Sequence, residues 1–471
     1  MNDITAFFAF LKYCLGYKEN MSRVIAGMNW HELYSFASKQ ALLGLCFEGI
    51  ERLGKEYPEE LRLNPIGREL LMTWMGKAQQ IRRQNMKVNA VASKLFSMLR
   101  EDGLRCCVLK GQGNALMYPN AYSRNPGDID VWIDVSRERI MEYAQKKFEL
   151  EDDIRLQHLE TSLDGVPVEL HFFPCSMNNP IYHARLQKWF RRNADLQCSH
   201  IVGLPDGAGD IAIPTTVFNV VYQLTHLYHH FFDEGIGMRQ IIDYFLVVND
   251  FSKNVFLNND LSNPSVNFSN HPVPLSKEGS TFSPSPSSMV FTPPSVPPFP
   301  GDRNLRSGDV TAPSRCSEPL RSKDGGPSKV SPDCAGWDRL AIEGDNSATA
   351  VTSSASTALV VVQRELKHLG LWKFAGAVMY VLHEALGLSD GKMIAPMDEK
   401  RGKLLLAEIL NGGNFGQHFT KYGHFTQQGM AKKYFLKIWR NMHFVRYFPA
   451  EALSEPIFRT WHFFWRLKHR R

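Results

Sequence analysis

Residues 106–135 read CCVLKGQGNALMYPNAYSRNPGDIDVWIDV, and this stretch decides the fold that we expect. It predicts a strand, a glycine-containing turn, a short helix with a loop, and a second strand that carries Asp128 and Asp130. Side chains alternate between the two faces of a strand, so these carboxylates share one face while Ile129 and Val131 point into the core. Two carboxylates placed this way can clamp a pair of divalent cations about 3.5–4 Å apart. That arrangement suits phosphoryl or nucleotidyl transfer.

Neighbouring segments strengthen the interpretation of this acidic pair. An isolated Asp-x-Asp is more often a solvated strand face than a metal site. Here the turn at 109–113 follows an apolar strand and would expose backbone N–H groups, together with Lys110, to a polyphosphate. Farther along, VPVELHF at 166–172 predicts a strand with Glu169 and His171 on its polar face. A third carboxylate is therefore expected near the first two.

The hairpin signal Asp164-Gly165 fixes the side on which Glu169 lies. Counting from this turn, Glu169 points toward the face of the acidic pair, while Val168 and Leu170 point inward. We therefore expect its strand to lie beside the Asp-x-Asp strand, with the three carboxylates within about 4–8 Å of one another.

The glycine turn, the Asp-x-Asp strand and the later single-carboxylate strand resemble the DNA polymerase beta-like nucleotidyltransferase superfamily. More narrowly, five segments of the chain resemble the bacterial family of uncharacterised nucleotidyltransferases: VLKGQGNALMY (108–118), SRNPGDIDVWI (123–133), VPVELHF (166–172), HLYHHFFDEGIGMRQIIDYFLVV (226–248) and HLGLWKFAGAVMYVLHEALGL (368–388). The turn departs from the superfamily, which usually has Gly-Ser where this chain has Lys110-Gly111-Gln112.

The resemblance implies transfer of a nucleoside monophosphate from a nucleoside triphosphate, with ATP as the expected donor, to an acceptor hydroxyl. Asp128 and Asp130 would hold two Mg²⁺ ions, one on the triphosphate and one that lowers the pKa of the attacking hydroxyl. Glu169 would complete the shell of the second metal or take the proton.

The same resemblance gives roles to five further residues. Lys110 and the amides around Gly111 and Gln112 would hold the β- and γ-phosphates. Arg124, just before the acidic strand, would neutralise charge on the leaving group. His171 would touch the acceptor or would support the neighbouring side chains structurally.

Two other functions remain open at this stage. The chain could be a nucleotide-binding regulatory module that has kept the fold without turnover, or an enzyme that attaches AMP to a protein in a toxin–antitoxin type of system. The acceptor could be a small molecule, a sugar or a protein, since no motif in the helical regions identifies it.

Composition narrows the class of protein and its compartment. With 471 residues and a formal net charge of +6, the chain suits an anionic ligand such as a nucleotide but gives no strong nucleic-acid signal. Its eight cysteines show neither Cys-x-x-Cys spacing nor a compact disulfide framework, which favours the cytoplasm. No apolar run approaches the ~20 residues that span a bilayer, so no transmembrane segment is expected.

The predicted fold class is α+β, with a small mixed sheet between helical regions. We expect the following organisation along the chain: an N-terminal helical region at 1–100, a nucleotidyltransferase core at 101–205, a first helical part at 206–250, a disordered Pro/Ser-rich insert at 251–357, and a second helical part at 358–471. The insert is set apart because it contains 14 of the 26 prolines and few periodic apolar positions.

Three local patterns in the helical regions carry further expectations. Arg239 and Asp243 have the spacing of a surface ion pair. His226 and His230 share that spacing, but a histidine-rich polar surface is favoured over a metal site there. The segment at 449–471 mixes aromatic and basic residues, as membrane-surface and nucleic-acid-binding helices do, yet core packing with a frayed basic end is the favoured interpretation.

Overall fold

The computed structural model describes residues 3–150, 155–257, 353–417 and 430–469, all within one unit formed by Met1–Asn267 and Ala348–Arg471. Most of these residues are helical. The described helices are α1 (Asp3–Cys14), α2 (Ser22–Ala26), α3 (Trp30–Lys39), α4 (Leu43–Glu56), α5 (Pro58–Leu63), α6 (Arg68–Glu101), α7 (Gly111–Ala115), α8 (Arg137–Lys147), α9 (Pro180–Ser199), α10 (Thr216–Asp233), α11 (Met238–Leu257), α12 (Ser353–His368), α13 (Trp372–Leu386), α14 (Glu399–Gly412), α15 (Met430–Met442) and α16 (Pro449–His469).

A four-stranded mixed sheet supports the acidic residues. Its strands are β1 (Cys106–Leu109), β2 (Ile129–Ile133), β3 (His158–Leu163) and β4 (Val166–His171), in the order β1-β2-β4-β3. The β2–β4 pairing is parallel and the other two pairings are antiparallel. A separate two-stranded sheet pairs β5 (Ile201–Gly203) with β6 (Asp210–Ala212). The predicted fold class, α+β with a small mixed sheet, is confirmed.

The turn between β3 and β4 has the expected hairpin chemistry. Asp164 and Gly165 adopt φ values of 49° and 70°, the left-handed conformation that a two-residue type I′ turn requires at both positions. From this turn the register runs back to Glu160 opposite Glu169. Val168 and Leu170 are buried in the core, as the alternation predicts.

Both faces of the sheet are covered by helices. On one face, strand residues such as Val131 pack against an apolar stripe of α6 and against α8, which Ser136 caps by accepting a 3.3 Å hydrogen bond from the amide of Arg139. On the other face, the indole of Trp132 stacks on the ring of Phe218 in α10, with 6.2 Å between ring centroids. Asp130, which shares a face with Trp132, therefore lies between the sheet and α10 rather than on an open surface.

The boundaries of the predicted insert are wrong at both ends. Helix α11 continues through 251–257, where Phe251 is buried in the core, because this segment still offers apolar residues to the helix packing. Helix α12 begins at Ser353, so 353–357 are helical as well. The rest of the predicted disordered insert, 258–352, lies outside the described residues.

Core packing is the wrong interpretation for much of α16. The side chains of Ile457, Trp461 and Phe464 are exposed, while Glu451 and Glu455 are buried. Among the described helices, none has both the length and the apolarity to cross a membrane.

Candidate active site

Three carboxylates meet where β2 and β4 run side by side. The parallel register places Asp130 directly beside Glu169, and Asp128 precedes β2 by one residue. Oxygen atoms of all three lie within 4.8 Å of one another. The expected position of Glu169 next to the acidic pair is therefore confirmed. Hard divalent cations such as Mg²⁺ prefer oxygen ligands, so this donor set fits them.

Asp130 is not solvated, contrary to the expectation for a carboxylate on an outward strand face. Its side chain is only 4% exposed, because α10 covers this side of the sheet, whereas Asp128 is exposed. The Oδ1 atom of Asp130 lies 3.1 Å from Lys110 Nζ and 3.0 Å from His171 Nε2. Burial disfavours the charge of Asp130, but these cations outweigh burial and hold its pKa well below the usual range.

His171 bridges two of the three carboxylates. Its Nε2 lies 3.0 Å from Asp130 Oδ1 and 3.1 Å from Glu169 Oε2, and the side-chain amide of Gln157 lies 3.3 Å from Nδ1. Burial alone would lower the pKa of His171, but both carboxylates favour the imidazolium and raise it to about 9. Burial also raises the pKa of Glu169. The imidazole of His171 thus fixes the orientation of the Asp130 and Glu169 carboxylates.

His158 belongs to the same cluster, although the sequence interpretation missed it. It pairs with His171 across the β3–β4 hairpin, with 5.0 Å between ring centroids, and its Nδ1 lies 3.4 Å from Glu169 Oε2. Burial lowers the pKa of His158 to about 2, so its ring is neutral. Counting six residues outward from the Asp164-Gly165 turn would have placed it there.

Lys110 stands at a strained turn between β1 and α7. Its backbone has a φ of 48°, an uncommon conformation for a residue with a side chain, and Gly111 follows with a φ of 47°. Its Nζ contacts Asp130 and lies 2.8 Å from His226 Nε2. Burial would lower the pKa of Lys110, but the nearby carboxylates raise it, so the ammonium remains charged.

The side chain of Gln112 points into the helix packing. It is buried and donates a hydrogen bond to Asn89 Oδ1 of α6. Contact with a phosphate remains a prediction for the backbone amide of Gln112, as it does for that of Gly111.

Arg124 borders the same cleft as Lys110, but its guanidinium already has a buried partner. Its Nε and Nη2 donate to the two carboxylate oxygens of Asp243 at 2.9 and 2.8 Å, and Tyr118 donates a third hydrogen bond to Asp243 at 2.7 Å. The expected surface pair of Asp243 with Arg239 is therefore wrong. The spacing of residues along α11 could not predict this pair, because Arg124 comes from the loop before β2.

Arg239 is a second site residue that the sequence interpretation missed. Its Nη1 donates to the backbone oxygen of Asn125 at 3.1 Å, and its guanidinium lies 5.4 Å from the ring centroid of Phe415. Burial and the charge of Arg124 both lower the pKa of Arg239. A cation in this position favours an anionic ligand.

Several of these residues line one cleft. Its lining includes Lys110, Gly111, Asp128, Asp130 and Arg239. His226 also lines the cleft, and His230 Nε2 lies 3.0 Å from its Nε2. The favoured interpretation of a histidine-rich polar surface is wrong for His226, because its side chain is buried on the sheet-facing side of α10.

Comparison with known proteins agrees with this site. The uncharacterised nucleotidyltransferase family model matches residues 26–262, which include every candidate site residue. The chain belongs to this family, and nucleotidyl transfer is the general chemistry that membership supports. No curated protein and no solved structure matches the chain.

Proposed function

We propose that the protein transfers a nucleoside monophosphate from a nucleoside triphosphate, with ATP as the donor, to an acceptor hydroxyl, with pyrophosphate leaving. One observation carries the proposal: three carboxylates have oxygens within 4.8 Å of one another, and two of them, Asp128 and Asp130, line a cleft together with Lys110 and Arg239. Acidic and basic groups that converge in this way suit a metal–triphosphate complex.

Asp128, Asp130 and Glu169 would hold two Mg²⁺ ions. When bound, Mg²⁺ supplies Lewis-acid polarisation of the phosphate oxygens and favours ionisation of the attacking hydroxyl. Because Lys110 and His171 both contact Oδ1 of Asp130, that carboxylate is held in one orientation with Oδ2 on the other side. Burial raises the pKa of Glu169, so this carboxylate is also suited to accept the hydroxyl proton.

The cationic side chains of the site would have two roles. Lys110 and Arg239 would bind phosphate groups, whereas Arg124 stabilises the structure around the site. Lys110 and the amide of Gly111 face the cleft and would contact the β- and γ-phosphates. Arg239 would take the role that sequence reasoning gave to Arg124, stabilising charge on the departing pyrophosphate. Arg124 acts indirectly, because its bidentate pair with Asp243 fixes α11 against the loop before β2.

The test is to incubate the protein with α-labelled nucleoside triphosphates, Mg²⁺ and a cell extract, and then to locate the label. Label in a small molecule or sugar supports the proposal, and label in a protein band identifies a protein AMP-transferring enzyme instead. An Asp128→Asn variant is the matched control, since its exposed side chain can change without opening a cavity. Triphosphate binding without transfer to any fraction would contradict the proposal and favour a regulatory binding module.

We also propose a cytoplasmic location. The cysteines of the described part of the chain are free thiols, Cys14, Cys46, Cys106, Cys107, Cys175 and Cys198. Adjacent free cysteines such as Cys106 and Cys107 are typical of reducing compartments.

A further inference from the structure

Helix α15 turns polar side chains toward the protein core. Arg440 donates a 2.9 Å hydrogen bond to the backbone oxygen of Phe231, and Asn441 donates one of the same length to Phe232. Both acceptors lie in the last turn of α10, where carbonyl groups have no partner within their own helix. Lys437 adds a 2.9 Å contact to Asp233 at the end of that helix. The inner face of α15 thus caps α10.

Helix α16 has the same inverted arrangement. Glu451 and Glu455 are buried, and Glu451 accepts hydrogen bonds from the backbone amides of Asn178 and Asn179. Arg459 also points inward, where its Nη2 lies 3.1 Å from Asp233. A helix on the surface of a globular protein normally buries its apolar side and exposes its charges. Here the polar side makes the internal contacts.

Seven large apolar side chains of these two helices consequently face outward. They recur at helical spacing and are between 46% and 73% exposed: Phe435, Trp439 and Met442 in α15, and Leu453, Ile457, Trp461 and Phe464 in α16. We call these seven residues the outward stripe. Exposed apolar surface of this extent marks a site of interaction with a protein, a ligand or a membrane.

The charge of the same segment identifies what it would contact. Residues 430–471 contain ten lysines and arginines but only two acidic residues, Glu451 and Glu455, a net charge of +8. The whole chain carries +6, so residues 1–429 carry −2. The positive charge of the protein is therefore concentrated in this segment. Its two acidic residues are buried, and Lys437, Arg440 and Arg459 are engaged in the internal contacts described above, so seven other basic residues remain.

We propose that the outward stripe docks on an anionic lipid surface. Tryptophan, phenylalanine and aliphatic side chains would insert at the headgroup level, and the seven other lysines and arginines of the segment would attract acidic headgroups. Such a helix lies in the membrane interface and does not span the bilayer. The proposal goes beyond nucleotidyl transfer and does not depend on it.

Two other occupants fit the observations less well. A second copy of the chain would bring two segments of +8 together, which like-charge repulsion opposes. A nucleic acid would suit the charge and could stack on Trp461, but Met442, Leu453 and Ile457 have no planar group for stacking on bases. An anionic lipid surface can accommodate the aliphatic side chains among its acyl chains and attract the basic residues through its headgroups.

The experiment measures cosedimentation of the full chain with vesicles of phosphatidylcholine and phosphatidylserine, and with vesicles of phosphatidylcholine alone. We expect binding to the anionic vesicles that weakens as salt is added. The double variant Ile457→Gln/Trp461→Gln should lower the partition coefficient by more than about tenfold, because two large apolar anchors are removed. A second double variant, Phe435→Gln/Met442→Gln, tests the other helix and should act in the same direction.

The matched control is Leu63→Gln, which changes an 88% exposed apolar residue of α5 outside the outward stripe. It should bind vesicles as the unchanged chain does, and circular dichroism should show the same helical content in all four proteins. Absence of binding to anionic vesicles, or full binding by both folded double variants, would overturn the proposal. So would tighter binding to a single-stranded oligonucleotide, or dimerisation in sedimentation equilibrium, if either depends on Ile457 and Trp461.

Discussion

Asp130 and Glu169 are direct neighbours across the parallel pairing of β2 and β4, and one imidazole, that of His171, contacts both carboxylates. Two acidic side chains this close repel each other unless a cation lies between or beside them. Lys110 and His171 supply positive charge from the protein side. The opposite side of the pair is where Asp128 approaches and where we place the metal ions.

Asp128→Asn and Asp130→Asn should therefore behave differently. Asp128 is exposed, so the asparagine should abolish Mg²⁺-dependent triphosphate binding and leave stability within about 0.5 kcal/mol. Asp130→Asn should also abolish binding, but it should lower the free energy of unfolding by about 3–5 kcal/mol, because two buried cations lose their partner. Calorimetric titration and urea denaturation measure the two effects.

Asp164→Asn is the control for both substitutions. It removes an exposed carboxylate from the hairpin of the same sheet, and asparagine accepts the left-handed backbone of that position. Its binding and stability should remain close to those of the unchanged chain. Equal loss of stability in the Asp128 and Asp130 variants would contradict the distinct environments assigned to them.

Substitutions of the two arginines that line the cleft, Arg239 and Arg124, should have different effects. Arg239→Gln should raise the KM for the triphosphate about tenfold or more, since a hydrogen bond to a charged group contributes about 1.5–3 kcal/mol. The melting temperature should change little, because Asp243, one helical turn away from Arg239 on α11, is already held by Arg124. Steady-state kinetics with the labelled donor and thermal unfolding together decide this prediction.

Arg124→Gln should instead act through stability. It would leave Asp243 charged and buried without its bidentate cation, hydrogen-bonded only by neutral donors such as the hydroxyl of Tyr118, a loss of about 3–5 kcal/mol in unfolding free energy. The double variant Arg124→Gln/Asp243→Asn should recover part of that loss, because the orphaned charge is removed. If the double variant does not recover stability, Arg124 does not stabilise the fold through its ion pair with Asp243.

Short-range rules explain why part of the site was predictable. The Asp-x-Asp alternation and the two-residue turn at Asp164-Gly165 fix the faces of Asp130 and Glu169 from local geometry alone. The same count along the hairpin contains His158, so this residue was within reach of sequence reasoning and was overlooked.

Contacts between distant segments explain what was not predictable. The partner of Asp243 comes from a residue more than a hundred positions earlier, and helical spacing favoured the wrong arginine. Burial of Asp130 depends on α10, whose position over the sheet no motif specifies. The inverted packing of α15 and α16 was missed because amphipathic patterns show two faces without showing which one is inside.

Glu451 provides a test of that inverted packing through pH. Burial raises its pKa to about 7, although the amides of Asn178 and Asn179 donate hydrogen bonds to it and favour the charged form. The folded state thus holds this proton more tightly than the unfolded chain, where the pKa is near 4.5. Its contribution to stability is complete below pH 4.5 and is lost as pH rises through about 7. The loss amounts to about 3 kcal/mol at about 1.4 kcal/mol per pKa unit.

Glu451→Gln should flatten this pH dependence, because an amide of the same shape does not ionise. Urea unfolding at several values between pH 5 and pH 8 would compare the variant with the unchanged chain, so that titrations common to both proteins, including that of His171, cancel in the difference. The variant should become relatively more stable as pH rises.

Glu399→Gln, in an exposed ion pair with Lys403 on α14, is the control and should follow the unchanged chain at every pH. A constant difference between the Glu451 variant and the unchanged chain across this range would mean that Glu451 is solvated in solution, and the inward orientation of the polar face of α16 would then be wrong.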